Sequence, residues 1–160
     1  MCGIVGAIAE RNVSGILLEG LRRLEYRGYD SAGIALLNDS GEKIKDLKTV
    51  GQVKKLIKSA SKAKLRGALG IAHTRWAMHG KPTVSNAHPH NSQKQIAIVH
   101  NGIIENHEVL RDKLIEDGYV FKTQTDSETI AHLIHRARDH GKRSLLEATK
   151  RTVKKLQGAY

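Results

Sequence analysis

No apolar run in this chain is long, and each gives way to glycine, a polar turn or a stretch of helical periodicity. A chain so patterned must bury short strands against helices. Residues 4–9, 32–37 and 68–73 read as buried strands, and 43–50 alternates as an edge strand does. Residues 96–100 run as a strand into Asn101-Gly102, a strong turn signal. Residues 119–122 suggest one more short strand. Between them lie amphipathic helices. Ser14 caps one with Ile16, Leu17, Leu21 and Leu24 inward, and Val53, Leu56, Ile57 and Ala60 mark a second. Asn106 caps a third carrying Val109, Leu110 and Leu114, ending at Gly118. Thr125-Asp126-Ser127-Glu128 has capping-box spacing ahead of Ile130, Leu133, Ile134 and Ala137. Ser144-Leu145-Leu146-Glu147 repeats that spacing ahead of Thr149, Val153 and Leu156, and Gly158-Ala159-Tyr160 reads as a strand beginning. The mixed order, with hairpin-like strand pairs, predicts a layered arrangement of helices and sheets rather than a bundle. Residues 76–92 are polar, hold both prolines and read as one long loop, a length usually reserved for function.

The 160 residues suffice for one domain with a real core, and 39% hydrophobic against 27% charged residues is a globular balance. The single cysteine excludes an internal disulfide. The apolar start reaches Glu10-Arg11 too soon for a signal peptide, and no stretch approaches membrane-helix length, so no membrane association and a cytoplasmic location are expected. A net charge of +11 raises the question of nucleic acid. However, the lysines are scattered along predicted helices, only one Phe and one Trp are present, and no nucleic-acid-binding signature occurs. Solvated helix faces account for the charge, and no nucleic-acid partner is expected.

Cys2 follows the initiator position. If Met1 is removed, its thiol and a free α-amine share one carbon, so that nucleophile and weak base meet without any help from the fold. Attack on a carboxamide also needs donors for the oxyanion, a clamp on the substrate and a shield from water. Asn101 and Gly102 can supply a side-chain and a backbone N–H. Arg75 can grip a carboxylate bidentately. Asp126, at a helix start, can hold an ammonium group or simply cap the helix. Trp76 and the loop after it can cover the site. Nine histidines invite a metal reading at His88-Pro89-His90 or at His132 with His135. With one cysteine and no carboxylate at ligand spacing, no metal is expected, and His132 and His135 are assigned to a solvated helix face.

Seven blocks occur in order: Met1-Cys2-Gly3-Ile4-Val5-Gly6, Tyr26-Arg27-Gly28-Tyr29-Asp30-Ser31-Ala32-Gly33, His73-Thr74-Arg75-Trp76-Ala77, His79-Gly80, Asn86-Ala87-His88-Pro89, His100-Asn101-Gly102-Ile103-Ile104-Glu105-Asn106 and Thr125-Asp126-Ser127-Glu128. Together they resemble the glutaminase domain of the isomerising glutamine–fructose-6-phosphate aminotransferases, or glucosamine-6-phosphate synthases. These belong to the N-terminal-nucleophile, class II glutamine amidotransferases. The resemblance covers essentially the whole chain. It implies an α+β fold, the four-layer αββα sandwich of N-terminal-nucleophile hydrolases. It implies that Cys2 attacks L-glutamine, that Asn101 and Gly102 stabilise the oxyanion, that Arg75 holds the α-carboxylate and Asp126 the α-amine, and that Trp76 and His79 close over the site. Arg27 would support the nucleophile. No cofactor is implied.

In that family ammonia passes to C-terminal sugar-isomerase domains that bind fructose 6-phosphate. Residues 1–160 are expected to be an incomplete glutaminase domain, shortened at the C-terminal end and lacking those domains. A homo-oligomer, with strand exchange between copies, would satisfy the open edge. Two departures count against activity. Met78 stands where the family has Thr in the closing loop, and a retained Met1 would lock the Cys2 amine in a peptide bond. The alternative is therefore an inactive domain with a binding or regulatory role.

Overall fold

The computed structural model describes residues 2–38, 40–76 and 81–160. These form two compact units, Met1–Pro89 and His90–Tyr160. The mixed α+β class expected from the sequence is met in both.

The first unit is built on an antiparallel sheet of β1 (Gly3–Ile8), β2 (Ser31–Leu37), β3 (Ile44–Val50) and β4 (Leu69–Arg75), in the order β1-β4-β2-β3. Helices α1 (Ser14–Leu24) and α2 (Val53–Lys62) pack against it. The two-residue repeat of a strand sends alternate side chains to opposite faces. Ala32, Ile34, Leu36 and Ala72 thereby join Leu17, Leu21, Val53 and Leu56 in one apolar core, with Val5 and Ala7 against it. Residues 4–9, expected to be buried, are only partly buried, and on one side alone. Their strand is an edge of the sheet, and Ile4 and Ile8 stay exposed. The 43–50 segment is the other edge, as its alternation predicted. Ile16 is exposed, leaving Leu17 and Leu21 as the inward stripe of α1. Ser14 does not cap that helix. It is the first helical residue, and its N–H donates to Asn12 Oδ1 at 3.2 Å.

The second unit contains α3 (His107–Glu116), α4 (Ser127–Asp139) and α5 (Leu145–Val153), the hairpin β5 (His90–Ser92) with β6 (Ile96–Ile98), and the pair β7 (Ile103–Ile104) with β8 (Gly158–Ala159). Helix α4 is central to it. Leu133 packs with Ile104, Leu110, Leu114, Tyr119 and Leu156, while Ile134 packs with Ile96 and Ala148.

Several expectations are corrected in this unit. The end of the supposed 76–92 loop is strand β5. Gln93 and Lys94 turn it back with φ of 51° and 57°, closed by Gln95 N–H to Ser92 O at 3.0 Å. Neither turn residue is Gly or Asn, so no signal announced it. Asn101-Gly102 makes no hairpin, because β6 pairs with β5 and β7 with β8. Residues 119–122 form no strand. Val109 is exposed, and the inward stripe of α5 is Ala148 and Thr152 rather than Thr149 and Val153. The capping box at Ser144 and Glu147 is present, and β8 begins where a strand was expected.

His132 and His135 are not solvated; both are buried. His132 Nδ1 lies 2.8 Å from Ser92 Oγ, and His135 Nδ1 lies 2.8 Å from Tyr119 OH. Buried imidazoles need partners, and these hydroxyls supply them. Among the described residues no helix is long and apolar enough to cross a membrane.

Candidate active site

Each unit carries its own share of the site residues. In the first unit they gather at one end of the sheet. Pairing of β1 with β4 sets Gly3 opposite Thr74, and the Gly3 N–H donates to Thr74 Oγ1 at 3.1 Å. Cys2, one residue earlier, is half-buried, and its Sγ accepts the Trp76 N–H at 3.3 Å. The nucleophile candidate is therefore tied to the residue beside Arg75. Arg75 ends β4 and is buried, while the Trp76 side chain is 48% exposed.

The Tyr26–Gly33 block lies against this same end. Strand pairing sets Ser31 opposite Arg75, and the Asp30 N–H donates to Arg75 O at 3.2 Å. Tyr29 meets the Trp76 ring edge-on, with centroids 5.4 Å apart. A Cβ on Gly28 would stand 2.7 Å from the Arg75 carbonyl carbon and 2.9 Å from Trp76 N. Only glycine permits that approach, which explains a Gly at this place in the block. Arg27 sits in a 3-10 turn, Glu25–Arg27, and its Nε donates to Tyr26 OH at 3.2 Å. Met78 and His79 lie outside the described residues.

In the second unit Asn101, Gly102 and Asp126 are held together by two cross-ties. His100 Nδ1 lies 2.9 Å from Ser127 Oγ, and the Ile104 N–H donates to Asp126 Oδ2 at 2.8 Å. The residues flanking Asn101-Gly102 on both sides are thus fastened to the start of α4. Asn101 and Gly102 are exposed. A Cβ on Gly102 would stand 2.1 Å from Ala159 O, so the β8 backbone demands glycine there. Asp126 occupies the N-cap position of α4, yet its side chain caps no helix N–H. Its carboxylate faces the Ile104 N–H and the Ser127 hydroxyl instead, which leaves acceptor capacity for an ammonium group. Burial lowers the His100 pKa from its ordinary 6.5, with the Asp126 charge pulling partly back.

The capping-box reading of Thr125–Glu128 fails for a related reason. Glu128 turns inward and accepts the Lys122 and Thr123 N–H groups and the Thr123 hydroxyl, at 2.8–3.1 Å. Burial alone would raise its pKa. The imidazole of His132, 3.6 Å away, and these donors outweigh burial and hold it at about 2.

Sequence reasoning left three contributors without a role: His100, Ser127 and the stacked pair of His73 and His88, whose rings lie 4.2 Å apart. Their only signal is membership in the ordered blocks. Among the described residues no group of three or more His, Cys, Asp or Glu could hold a metal ion.

In the first unit a candidate nucleophile precedes a strand with a buried arginine beside it, and in the second an Asn-Gly pair is tied to a carboxylate; each set taken by itself suits amide chemistry on an amino-acid substrate. Comparison with known proteins agrees. Residues 73–160 match the glutamine amidotransferase domain model, and the chain belongs to that family. Its relatives include the isomerising glutamine–fructose-6-phosphate aminotransferases of Idiomarina loihiensis, 58% identical over 161 residues, and Pseudomonas putida, 57% over 163. The enzyme of Yersinia pseudotuberculosis is 57% identical over 160 residues. All of this chain is covered in each case, but only 26% of each relative, so the chain spans about a quarter of their length. Among solved structures it is similar to the glutamine phosphoribosylpyrophosphate amidotransferase of B. subtilis, with a TM-score of 0.77 and 31% identity. That match covers 99% of this chain and 33% of the other.

Proposed function

We propose that this chain is the glutamine-hydrolysing part of a glucosamine-6-phosphate synthase. The observation that carries the reading is the contact between Cys2 Sγ and the Trp76 N–H, which sets the candidate nucleophile beside the buried Arg75 in a chain of this family. The chemistry follows from the residues. With Met1 removed, the Cys2 α-amine takes the thiol proton, and the sulfur adds to the side-chain amide carbon of L-glutamine. The carbonyl oxygen becomes an oxyanion, for which Asn101 Nδ2–H and the Gly102 N–H are the donors. The protonated amine returns its proton to the leaving nitrogen, ammonia departs, and a γ-glutamyl thioester remains. Water then adds to the thioester, glutamate leaves, and the thiol is restored. Arg75 pairs with the α-carboxylate and Asp126 with the α-ammonium, while Trp76 and His79 are assigned to the covering loop and Arg27 to support of the nucleophile.

Delivery of the ammonia to fructose 6-phosphate is the finer part of this proposal, and it rests on the names of the relatives. A cytoplasmic setting and self-association of copies complete the reading.

The test is glutamate release from glutamine by protein whose mass shows that it begins at Cys2. Cys2→Ala should lower the rate at least about a thousandfold, the scale of losing a nucleophile. Unchanged turnover by Cys2→Ala, with folding intact, would overturn the proposal.

A further inference from the structure

The positive charge of this chain is not spread evenly. In the second unit an open groove of about 710 Å³ is lined by Arg136, Arg143, Arg151, Lys154 and Lys155, and among the described residues the one carboxylate on its wall is Asp117. Scattered solvated lysines explain α2, where Lys54, Lys55 and Lys58 are exposed on the face opposite the core. They do not explain five cations on one concavity.

Helix ends are the ordinary reason for clustered basic residues, and here that reason falls short. The groove takes in the C-terminal ends of α4 and α5, each worth about half a negative charge. Those two ends and Asp117 together leave a surplus of about three positive charges. The surplus is also held in place. Arg136 pairs with Asp117, and Arg143 Nη1 donates to Ala137 O at 2.9 Å, so both guanidinium planes are oriented and keep further donors free. Across from them, Asn106 fixes the segment that follows α5. Its Nδ2 donates to Lys155 O at 2.9 Å and its Oδ1 accepts the Gln157 N–H at 3.0 Å. Among the described residues Arg151, Lys154 and Lys155 meet no carboxylate within ion-pair distance.

From this geometry we infer that the groove is an anion site for the phosphate group of a small molecule, either a phosphomonoester or a diphosphate. Guanidinium forks match phosphate oxygens bidentately, and flanking ammonium groups add point charge. The volume lies within the usual range for small-molecule sites, roughly 300–1,000 Å³. A nucleic-acid strand is disfavoured, because no Phe, Tyr or Trp lines the groove to stack a base. The site is separate from the glutamine chemistry. Asp126 stands at the other end of α4, about 15 Å from Arg136 by the rise of a helix.

Titration calorimetry with pyrophosphate, and in parallel with inorganic phosphate, tests this at near-physiological salt. Pyrophosphate should bind one-to-one with a dissociation constant below about 1 mM. R151Q/K155Q should weaken it at least about tenfold, as expected for lost charge-assisted hydrogen bonds. K54Q/K58Q, which removes the same charge from α2, should leave binding unchanged. R151K should retain more affinity than R151Q, which shows that charge rather than folding is being read. No saturable binding, or equal loss in the two double variants, overturns the inference. So does an oligonucleotide that outcompetes pyrophosphate with a steep salt dependence.

Discussion

Both units bury polar groups, but they differ in what their helices enclose. The first has a single apolar core, in which α1 and α2 cover one sheet face with Leu17, Leu21, Ile34, Leu36 and Leu56 fully enclosed. The second divides its apolar residues between two smaller clusters and fills the space around α4 with polar groups: Glu128, His132 and His135, with Ser92, His90 and Thr125. A hydrocarbon core is indifferent to pH and sensitive to volume. A buried polar core is the reverse, because each of its groups is stable in one protonation state and needs a partner. The polar core also positions the second unit's share of the candidate site residues. Asp126, Ser127 and Glu128 are consecutive, and each reaches out of α4 to hold a different stretch of backbone or side chain.

The largest expected effect lies in the first unit. Leu21→Ala should cost about 3–4 kcal/mol, since the side chain is fully enclosed between helix and sheet. Denaturant unfolding measures it, and a loss below about 1 kcal/mol would mean that this core repacks freely. Next comes Glu128→Gln, for which we expect a loss of about 2–3 kcal/mol from a buried acceptor of charge-assisted hydrogen bonds. Hydrogen exchange would show the damage in residues 119–135 first.

Acid should separate the units without any mutation. The Glu128 carboxyl has a pKa of about 2 in the folded chain against an ordinary 4.5, so its stabilisation is complete above 4.5 and fades as the pH falls toward 2. Burial lowers the His135 pKa from 6.5, so its neutral-state contribution is present above 6.5 and fades as the pH falls below that value. Amide protection factors, with the intrinsic pH dependence of exchange divided out, should therefore fall in the second unit on acidification before they fall in the first. An equal fall in both would break the contrast. Smallest is Ser144→Ala, which removes a complete capping box and should cost about 1 kcal/mol, read as fraying of α5.

The pattern of success and failure in the sequence reading follows the same division. Leu17, Leu21, Val53, Leu56 and Ala60 were legible because a helix lying on one sheet face shows its burial as a plain periodicity. The strands of the first unit and the 43–50 edge were legible for the same reason, whereas residues 4–9 were read as a buried strand and form the other edge. In the second unit α4 is enclosed on several sides, so periodicity no longer marks inside from outside, and His132 and His135 were assigned to solvent. Glu128 had the spacing of a capping box but was drawn inward by the N–H groups of Lys122 and Thr123. The Gln93-Lys94 turn carries no turn residue at all. The candidate site residues stood out as ordered blocks, and the family those blocks pointed to is the one whose domain model residues 73–160 match.

By itself, then, the order of residues determined which segments become helix or strand in the first unit, which short blocks are proposed to carry the chemistry, and the family to which the chain belongs. These depend on neighbours along the chain or on motifs a few residues long. Only the tertiary structure decided that the Cys2 sulfur meets the Trp76 amide, that Asp126 serves Ile104 rather than its own helix, and that scattered cations gather around one groove. Such contacts join residues far apart in sequence, and their energies depend on distance and burial, which exist only once the chain has closed on itself.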